Sequence, residues 1–417
     1  MRRLGIVTSG YPYTAKESFL GPELRELAGV AEASVYPVHP KLRAARSDTG
    51  AALVRMPVFS AFILADAVRE LVERPRAVAR AFGGLVLARA SWRVRLKNAA
   101  IFAKALAVAR DMRRRGVQHI HAYWASTPAS VAYAVATING LPWSFTAHRW
   151  DIYEDNLLGA KLRHAAFVRT ISDRARASVL ERADAECGAK VFTLHLGVAT
   201  NGHAHADVSK TRRDASFTLL CAANLEPVKG IPILVEALRI VAARGTSVRC
   251  AIAGDGSMRA HIESAISHAG LSGSVTLRGA VPHDQLLAEL AGGAYDAAVL
   301  ASVEAPGGVH EGIPVFLMEA MAAGVPCIST RTGSIAELID GRCGILVGQR
   351  DPVALADAIE RLACDAELRR ALARAGQQRI CSDFDAAASS RLLLARIQGT
   401  ESAAMRREMS ATTLARS

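Results

Sequence analysis

Aromatic side chains are scarce in this sequence, at 5% of its 417 residues, although hydrophobic residues of all kinds reach 51%. A core built without many rings must be assembled from Ala, Val, Leu and Ile, which suits layered α/β packing. No uncharged apolar run approaches the ~18 residues that a membrane-spanning helix needs, so none is expected. The opening MRRLGIVTSGYPY has too short an apolar stretch for a signal peptide and reads as a first buried strand. Cysteines are few and scattered, at 187, 221, 250, 327, 343, 364 and 381, and no two form a CxxC pair. That spacing argues against zinc or thiol redox chemistry and for small buried hydrophobes in a reducing compartment. A D-x-D string, the usual carboxylate pair for a divalent cation on a diphosphate, occurs only at Asp383-Phe384-Asp385. It opens a late helix, where acidic residues normally cap, so neither a metal nor another cofactor is expected.

What is present gathers around Glu311 to Gly324, EGIPVFLMEAMAAG. Gly312, Ile313 and Pro314 form a tight approach to a helix, with Pro314 suited to its first position. The helix is expected through Val315 to Ala323, stopping at Gly324 and Pro326. A helix start offers free N–H groups and the positive end of the dipole, hence an anion site. Glu311 stands before that start and Glu319 about one turn inside. Carboxylates beside an anion site are best explained as acceptors for sugar hydroxyls. Two glutamates flanking a helix are more often a solvated face; here the proline, the glycines and the apolar Val315 to Met318 favour a site. The stretch resembles the E-x7-E signature of retaining glycosyltransferases of family 4, most strongly over residues 215 to 345. The resemblance implies the GT-B fold: an α/β protein of two Rossmann-like doubly wound domains facing a central cleft.

Strand-like and helix-like segments alternate along both halves, as such a pair requires. Leu4 to Thr8 reads as the first strand, ending at Gly10; in the family this loop faces donor phosphates. Ala33 to Val38 is a second strand, and residues 41 to 115 lack clear strands. From Ala67 to Arg115 there are 13 Lys/Arg against 3 Asp/Glu, interleaved with apolar helical stretches. A basic, apolar helical block suits an anionic membrane surface as well as a solvated face; with no zinc-finger pattern, nucleic acid is not expected. In VQHIHA, His119 and His121 read as strand-end residues rather than metal ligands, with His121 on the acceptor side. Pro142 to Ala147 is a strand delivering His148 and Asp151. SFTAHRWDIY resembles a segment of polysaccharide-building members of the family. That implies His148 beside the reacting sugar, and Asp151 orienting its neighbours or meeting the acceptor.

The second domain is expected from Phe217. Lys229 and Gly230 sit where an ammonium and a backbone turn meet a pyrophosphate. The family usually has an arginine five positions before that lysine; Asn224 stands there instead and donates hydrogen bonds without charge. Gly254 and Gly256, in GDG at a strand end, resemble the turn near the nucleotide, and Arg278 leads the loop that contacts the base in similar proteins. Domains are expected at 1–205 (acceptor) and 215–380 (donor), with a small, polar linker containing His203 and His205. The 381–398 helix would cross back, and 399–417 form a disordered tail. The resemblance implies a metal-independent retaining hexosyltransferase, using a nucleotide-sugar donor and a polyprenyl-linked or oligosaccharide acceptor in surface polysaccharide assembly. Glu319 would bind ribose, and Glu311 with the amides of Gly312 and Ile313 the hexose. Lys229 would hold the leaving diphosphate, and His148 would face the anomeric centre. The setting implied is cytoplasmic, peripheral on the inner face of the membrane. A sugar-nucleotide epimerase or hydrolase, and a non-catalytic nucleotide-sugar binder, are the alternatives.

Overall fold

The computed structural model of the protein describes residues 2–14, 17, 19–41, 49–57, 60–200 and 216–399. The expected linker histidines His203 and His205, and the tail from 400 onward, lie outside the described residues. The chain divides into two compact units, Met1–Leu196 with Ala386–Ser417, and Gly197–Asp385.

The first unit runs β1 (Arg3–Thr8), α1 (Leu20–Val30), β2 (Glu32–Pro37), β3 (Ala52–Leu53), α2 (Ala61–Glu73), α3 (Pro75–Phe82) and α4 (Trp92–Arg114). It continues with β4 (His119–Ala122), α5 (Thr127–Asn139), β5 (Trp143–Ala147), α6 (Arg149–Glu154), α7 (Leu158–His164), β6 (Phe167–Thr170), α8 (Asp173–Leu180) and β7 (Val191–Thr193). Its sheet has the order β3-β2-β1-β4-β5-β6-β7, and every pairing is parallel. Parallel strands covered on both faces read as unbroken apolar runs, which is why LGIVT was legible. Helix punctuation was legible too: Ser172 caps α8 by accepting from the Ala175 N–H at 3.1 Å, and Gly140 ends α5 at φ 68°. Three elements were not anticipated. β3 is two residues long and pairs only at the sheet edge, and α6 and α7 are short pieces without a full amphipathic period.

The second unit contains β8 (Phe217–Ala222), α9 (Ile231–Ala243), β9 (Val248–Ala253), α10 (Arg259–His268), β10 (Val275–Gly279), α11 (His283–Ala291) and β11 (Ala297–Leu300). Then come α12 (Val315–Ala322), β12 (Cys327–Thr330), α13 (Ile335–Leu338), β13 (Ile345–Val347), α14 (Pro352–Cys364) and α15 (Ala366–Asp383). The sheet order is β10-β9-β8-β11-β12-β13, again parallel throughout. Cys221, Cys250 and Cys327 lie buried in this core, whereas Cys364 and Cys381 are exposed. Pro314 is not the first helical residue: it is the cap of α12, with extended backbone at ψ 120°.

The last helix, α16 (Ala386–Gln398), belongs to the first unit. Leu393, Leu394 and Ile397 join Leu4, Leu20, Leu24 and Leu27 in one apolar cluster. Beside it Arg169 and Glu23 form a fully buried ion pair at 2.6 Å. Arg169 also donates to the carbonyls of Leu194 and His195 at 2.8 Å each. Ser389 of α16 donates to the same His195 carbonyl. The Arg169 side of this buried pair is thus fully bonded, whereas Glu23 Oε2 has no hydrogen-bond partner among the described residues.

In each sheet the strand order reverses once, between β1 and β4 and between β8 and β11. Open α/β sheets bind ligands outside the carboxyl ends of the strands at such switch points.

Candidate functional site

In the second unit the switch point gathers the loops after β8 and β11. The first loop makes a single 3-10 turn, Pro227–Lys229, and reverses at Gly230 with φ 62°. A Cβ on Gly230 would lie 1.8 Å from the Ala301 carbonyl oxygen, so only glycine lets this turn sit on the end of β11. Val303 N–H reaches the Val228 carbonyl at 2.9 Å and locks the two loops together. The β11 loop folds back on itself through an Ala305–Val309 bridge. Gln349 holds it by accepting the Glu304 N–H at 2.7 Å.

The consequence is an ion pair. Lys229 Nζ lies 2.5 Å from Glu311 Oε2, and Ser302 Oγ donates to the same oxygen at 3.3 Å. Both charged side chains are only partly buried, so the pair faces accessible space. Below it, His310 Nδ1 donates to the Glu311 carbonyl at 2.8 Å. A Cβ on Gly333, which has φ 56°, would fall 1.8 Å from that oxygen. The N–H groups of Gly312 and Ile313 find no acceptor among the described residues, and nothing lies within 4 Å of a Cβ built on Gly312. Glu319, on α12, accepts from His283 Nε2 at 2.7 Å. That bond raises the imidazole pKa above its ordinary value, against the opposing effect of burial.

The other donor-side residues fall around this pair with varied roles. Asn224 is exposed, and its carbonyl accepts the Glu226 N–H. Gly254 and Gly256 press onto this loop: Cβ atoms there would lie 1.9 Å from the Ala223 oxygen and 2.6 Å from the Leu225 oxygen. Arg278 is engaged in a bidentate pair with Glu289 and a bond to Tyr295. In the D-x-D string, Asp383 pairs with Arg379, Phe384 is fully buried, and Asp385 accepts from the Thr200 hydroxyl. Among the described residues no cluster of His, Cys, Asp and Glu is arranged to hold a metal ion.

In the first unit the switch point holds a second constellation. Glu17 is buried, and its carboxylate accepts the N–H groups of Ser9, Gly10 and Tyr11 and the indole N–H of Trp124. The Gly10 amide is thus already taken. His148, at the end of β5, lies against Trp124 with ring centroids 4.2 Å apart, and Phe19 meets it edge-on at 5.8 Å. Burial, and secondarily the Arg169 charge, push His148 down to about 3, so its ring is neutral near pH 7. Neither ring nitrogen has a hydrogen-bond partner among the described residues, although Nδ1 lies 4.0 Å from Asp151 Oδ2. Asp151 fixes the backbone beneath it, accepting from the His148 N–H at 2.7 Å and the Ala125 N–H at 2.5 Å. Burial raises Asp151 to about 7 against those stabilising N–H bonds. Of the two roles expected for Asp151, this geometry supplies the orienting one.

His119 opens the four-residue β4 and His121 stands one before its end, but both are buried, so the expectation of His121 on an accessible acceptor side is corrected. His119 Nε2 and His121 Nδ1 each bond Ser144 Oγ at 2.8 Å, and His121 Nε2 bonds Thr146 Oγ1 at 2.9 Å. The side chains of a strand alternate between faces, so positions 119 and 121 share one. On that face the rings lie beside Ser144 and Thr146 of β5 and stack on Phe167 of β6, out of solvent, and both ring nitrogens of His121 are engaged. Ser302, His310, His283, Glu17 and Trp124 were missed. Only His310, adjacent to Glu311, had a local signal.

Known proteins agree with the fold. Residues 216–365 match the model of the family described as glycosyl transferases group 1. The chain is 29% identical over 211 residues to the putative colanic acid biosynthesis glycosyltransferase WcaL of Salmonella typhimurium, covering 50% of this chain and 51% of that protein. It is 37% identical over 145 residues to the amylovoran biosynthesis glycosyltransferase AmsK of Erwinia amylovora, covering 34% and 35%. The matches thus span about half of the first relative's length and about a third of the second's. Among solved structures, Anabaena Alr3699/HepE in complex with UDP-glucose superposes with a TM-score of 0.69 at 17% identity, over 96% of this chain and 100% of that one. Sucrose-phosphate synthase from Thermosynechococcus elongatus gives 0.70 at 17%, over 94% and 97%. The chain has the GT-B class of fold, two Rossmann-like units, and resembles glycosyltransferases of polysaccharide biosynthesis.

Proposed function

We propose that this chain is a retaining glycosyltransferase. It moves a hexose-type sugar from a nucleotide-sugar donor to a lipid-linked or saccharide acceptor in the building of a surface polysaccharide. The observation that supports this best is the Lys229–Glu311 pair at the β8/β11 switch point, beside the unbonded amides of Gly312 and Ile313. An ammonium placed there stabilises negative charge developing on a departing diphosphate. Glu311 accepts sugar hydroxyls, and Glu319, on the next turn, accepts those of ribose. Arg278 would meet the base only by sharing or leaving Glu289. His148, neutral at working pH, serves as a hydrogen-bonding group at the reacting sugar rather than as a cation. No side chain is assigned as covalent nucleophile. Retention then follows from attack on the leaving-group face, with the departing phosphate taking the acceptor proton. Lys229 supplies a cation for that phosphate without a bound metal. The two polysaccharide relatives and the UDP-glucose complex of a similarly folded protein favour the same reading. The chain would work in the cytoplasm, at the inner face of the membrane.

The experiment is transfer by the purified chain from a panel of nucleotide sugars, with and without chelator. Lys229→Ala and Glu311→Ala are expected to cut turnover at least about 100-fold, in the range for removing one charge-stabilising group. Unchanged turnover in both variants would refute the assignment. Sugar release or isomerisation without an acceptor would point to the epimerase or hydrolase, and tight donor binding without product to a binding protein. The anomeric configuration of the product reads retention directly.

A further inference from the structure

Of 13 large hydrophobic side chains that stand exposed among the described residues, 12 belong to the first unit and only Val353 to the second. The excess has a pattern. Leu87, Trp92 and Leu96 surround the start of α4, with Trp92 69% and Leu96 61% exposed. Trp150, at 64%, and Tyr153 stand out from α6. These two places adjoin: Lys97 of α4 pairs with Glu154 of α6 at 2.5 Å, and Asn98 bonds Asn156 at 3.1 Å. Arginines accompany the rings. Arg93 lies over Trp92 at 5.6 Å and Arg149 over Trp150 at 4.9 Å. Between positions 74 and 97 the sequence has seven Arg or Lys and no Asp or Glu.

A tryptophan flanked by arginines and aliphatic side chains, standing in water, is costly in a monomer and suited to a lipid headgroup layer. A second copy of this chain is a poor occupant. A two-fold contact would set Arg93 and Arg149, which lie over the exposed rings, against their own copies. We propose that the α4 start and α6 form one docking face for an anionic lipid surface, with the rings entering the headgroup layer and the arginines meeting lipid phosphates. This deepens the transferase reading and rests on it in one respect. His148 immediately precedes α6, so a face docked through Trp150 and Tyr153 would hold the candidate acceptor site close to lipid-linked substrate.

The test is co-sedimentation of the full chain with vesicles of phosphatidylcholine alone or mixed with phosphatidylglycerol, without donor. Binding is expected only to the mixed vesicles, falling as salt is raised. Trp92→Ala with Leu96→Ala, and separately Arg89→Glu with Arg93→Glu, are expected to weaken it about ten-fold or more at unchanged thermal midpoint. All four positions are exposed, so the variants should fold. No binding to the anionic vesicles, or binding undiminished in both variants, would overturn the proposal. So would a dimer, measured by light scattering, that the same substitutions dissociate. Because no donor is present, a chain that transfers sugar but ignores vesicles loses only the docking face. One that binds vesicles but transfers nothing loses only the transferase reading.

Discussion

At the scale of single residues, the site in the second unit depends on two glycines as much as on its charges. Gly230 and Gly333 both have positive φ, and in both a side chain would drive into a carbonyl oxygen, of Ala301 or of Glu311 itself. Gly333→Ala is therefore expected to destabilise the chain by at least about 2 kcal/mol, measured by urea unfolding. It should also displace Glu311 from Lys229, so that donor binding weakens by more than the stability loss explains. A second expectation concerns His283. Its bond to Glu319 holds the imidazole pKa above the ordinary value, so its ring signals should titrate high by NMR and return toward about 6.5 in Glu319→Gln. The EGIP segment was readable because proline and glycine punctuate locally. Ser302 and His283 were not: His283 meets Glu319 only after α11 and α12 have been brought together, and Ser302 meets Glu311 only because the loop between them folds back on itself.

At the scale of elements, the β4–β5 pair makes the first unit acid-sensitive. His119 is held down to about 4, and His121 well below its ordinary value, chiefly by burial. Their three ring-to-hydroxyl contacts suit neutral rings that alternate donor and acceptor. Between about 6.5 and those lowered values the unfolded chain binds protons that the native chain refuses. Stability contributed by these histidines is thus complete above pH 6.5 and lost as pH falls toward 4. Asp151 works in the opposite sense: raised to about 7, its contribution is present at low pH and lost as pH climbs through 7. The cleanest measurement is therefore a comparison. The pH dependence of the unfolding free energy between 6.5 and 4.5 should be shallower in His121→Leu than in the parent chain, and identical slopes would refute the neutral-pair account. The strands themselves were legible as apolar runs. Which histidine faced what was not, since VQHIHA reads alike at a strand end or in its middle.

At the scale of the whole molecule, the chain closes on itself through α16, whose apolar face covers α1 and whose Ser389 and Ser390 bond the backbone at His195 and Glu23. Removing one partner of the buried Glu23–Arg169 pair leaves an uncompensated charge. Glu23→Ala is thus expected to cost about 3–5 kcal/mol by chemical denaturation. A chain ending before Ala386 should lose a comparable amount, because the apolar cluster of Leu20, Leu24 and Leu27 would face water. The sequence by itself determined the alternation of strands and helices, the two Rossmann-like units and the E-x7-E corner. These rest on periodicity, local backbone preference and near-neighbour spacing. Only the tertiary structure decided that Lys229 and Glu311 pair directly, that Glu17 occupies the amides beside Gly10, and that His121 lies inside the sheet. Lys229 meets Glu311 across 82 positions and His121 meets Ser144 across 23, which depends on how separate elements pack. Glu17 meets Gly10 across only 7, through the turn of its own loop, and no local pattern records any of these.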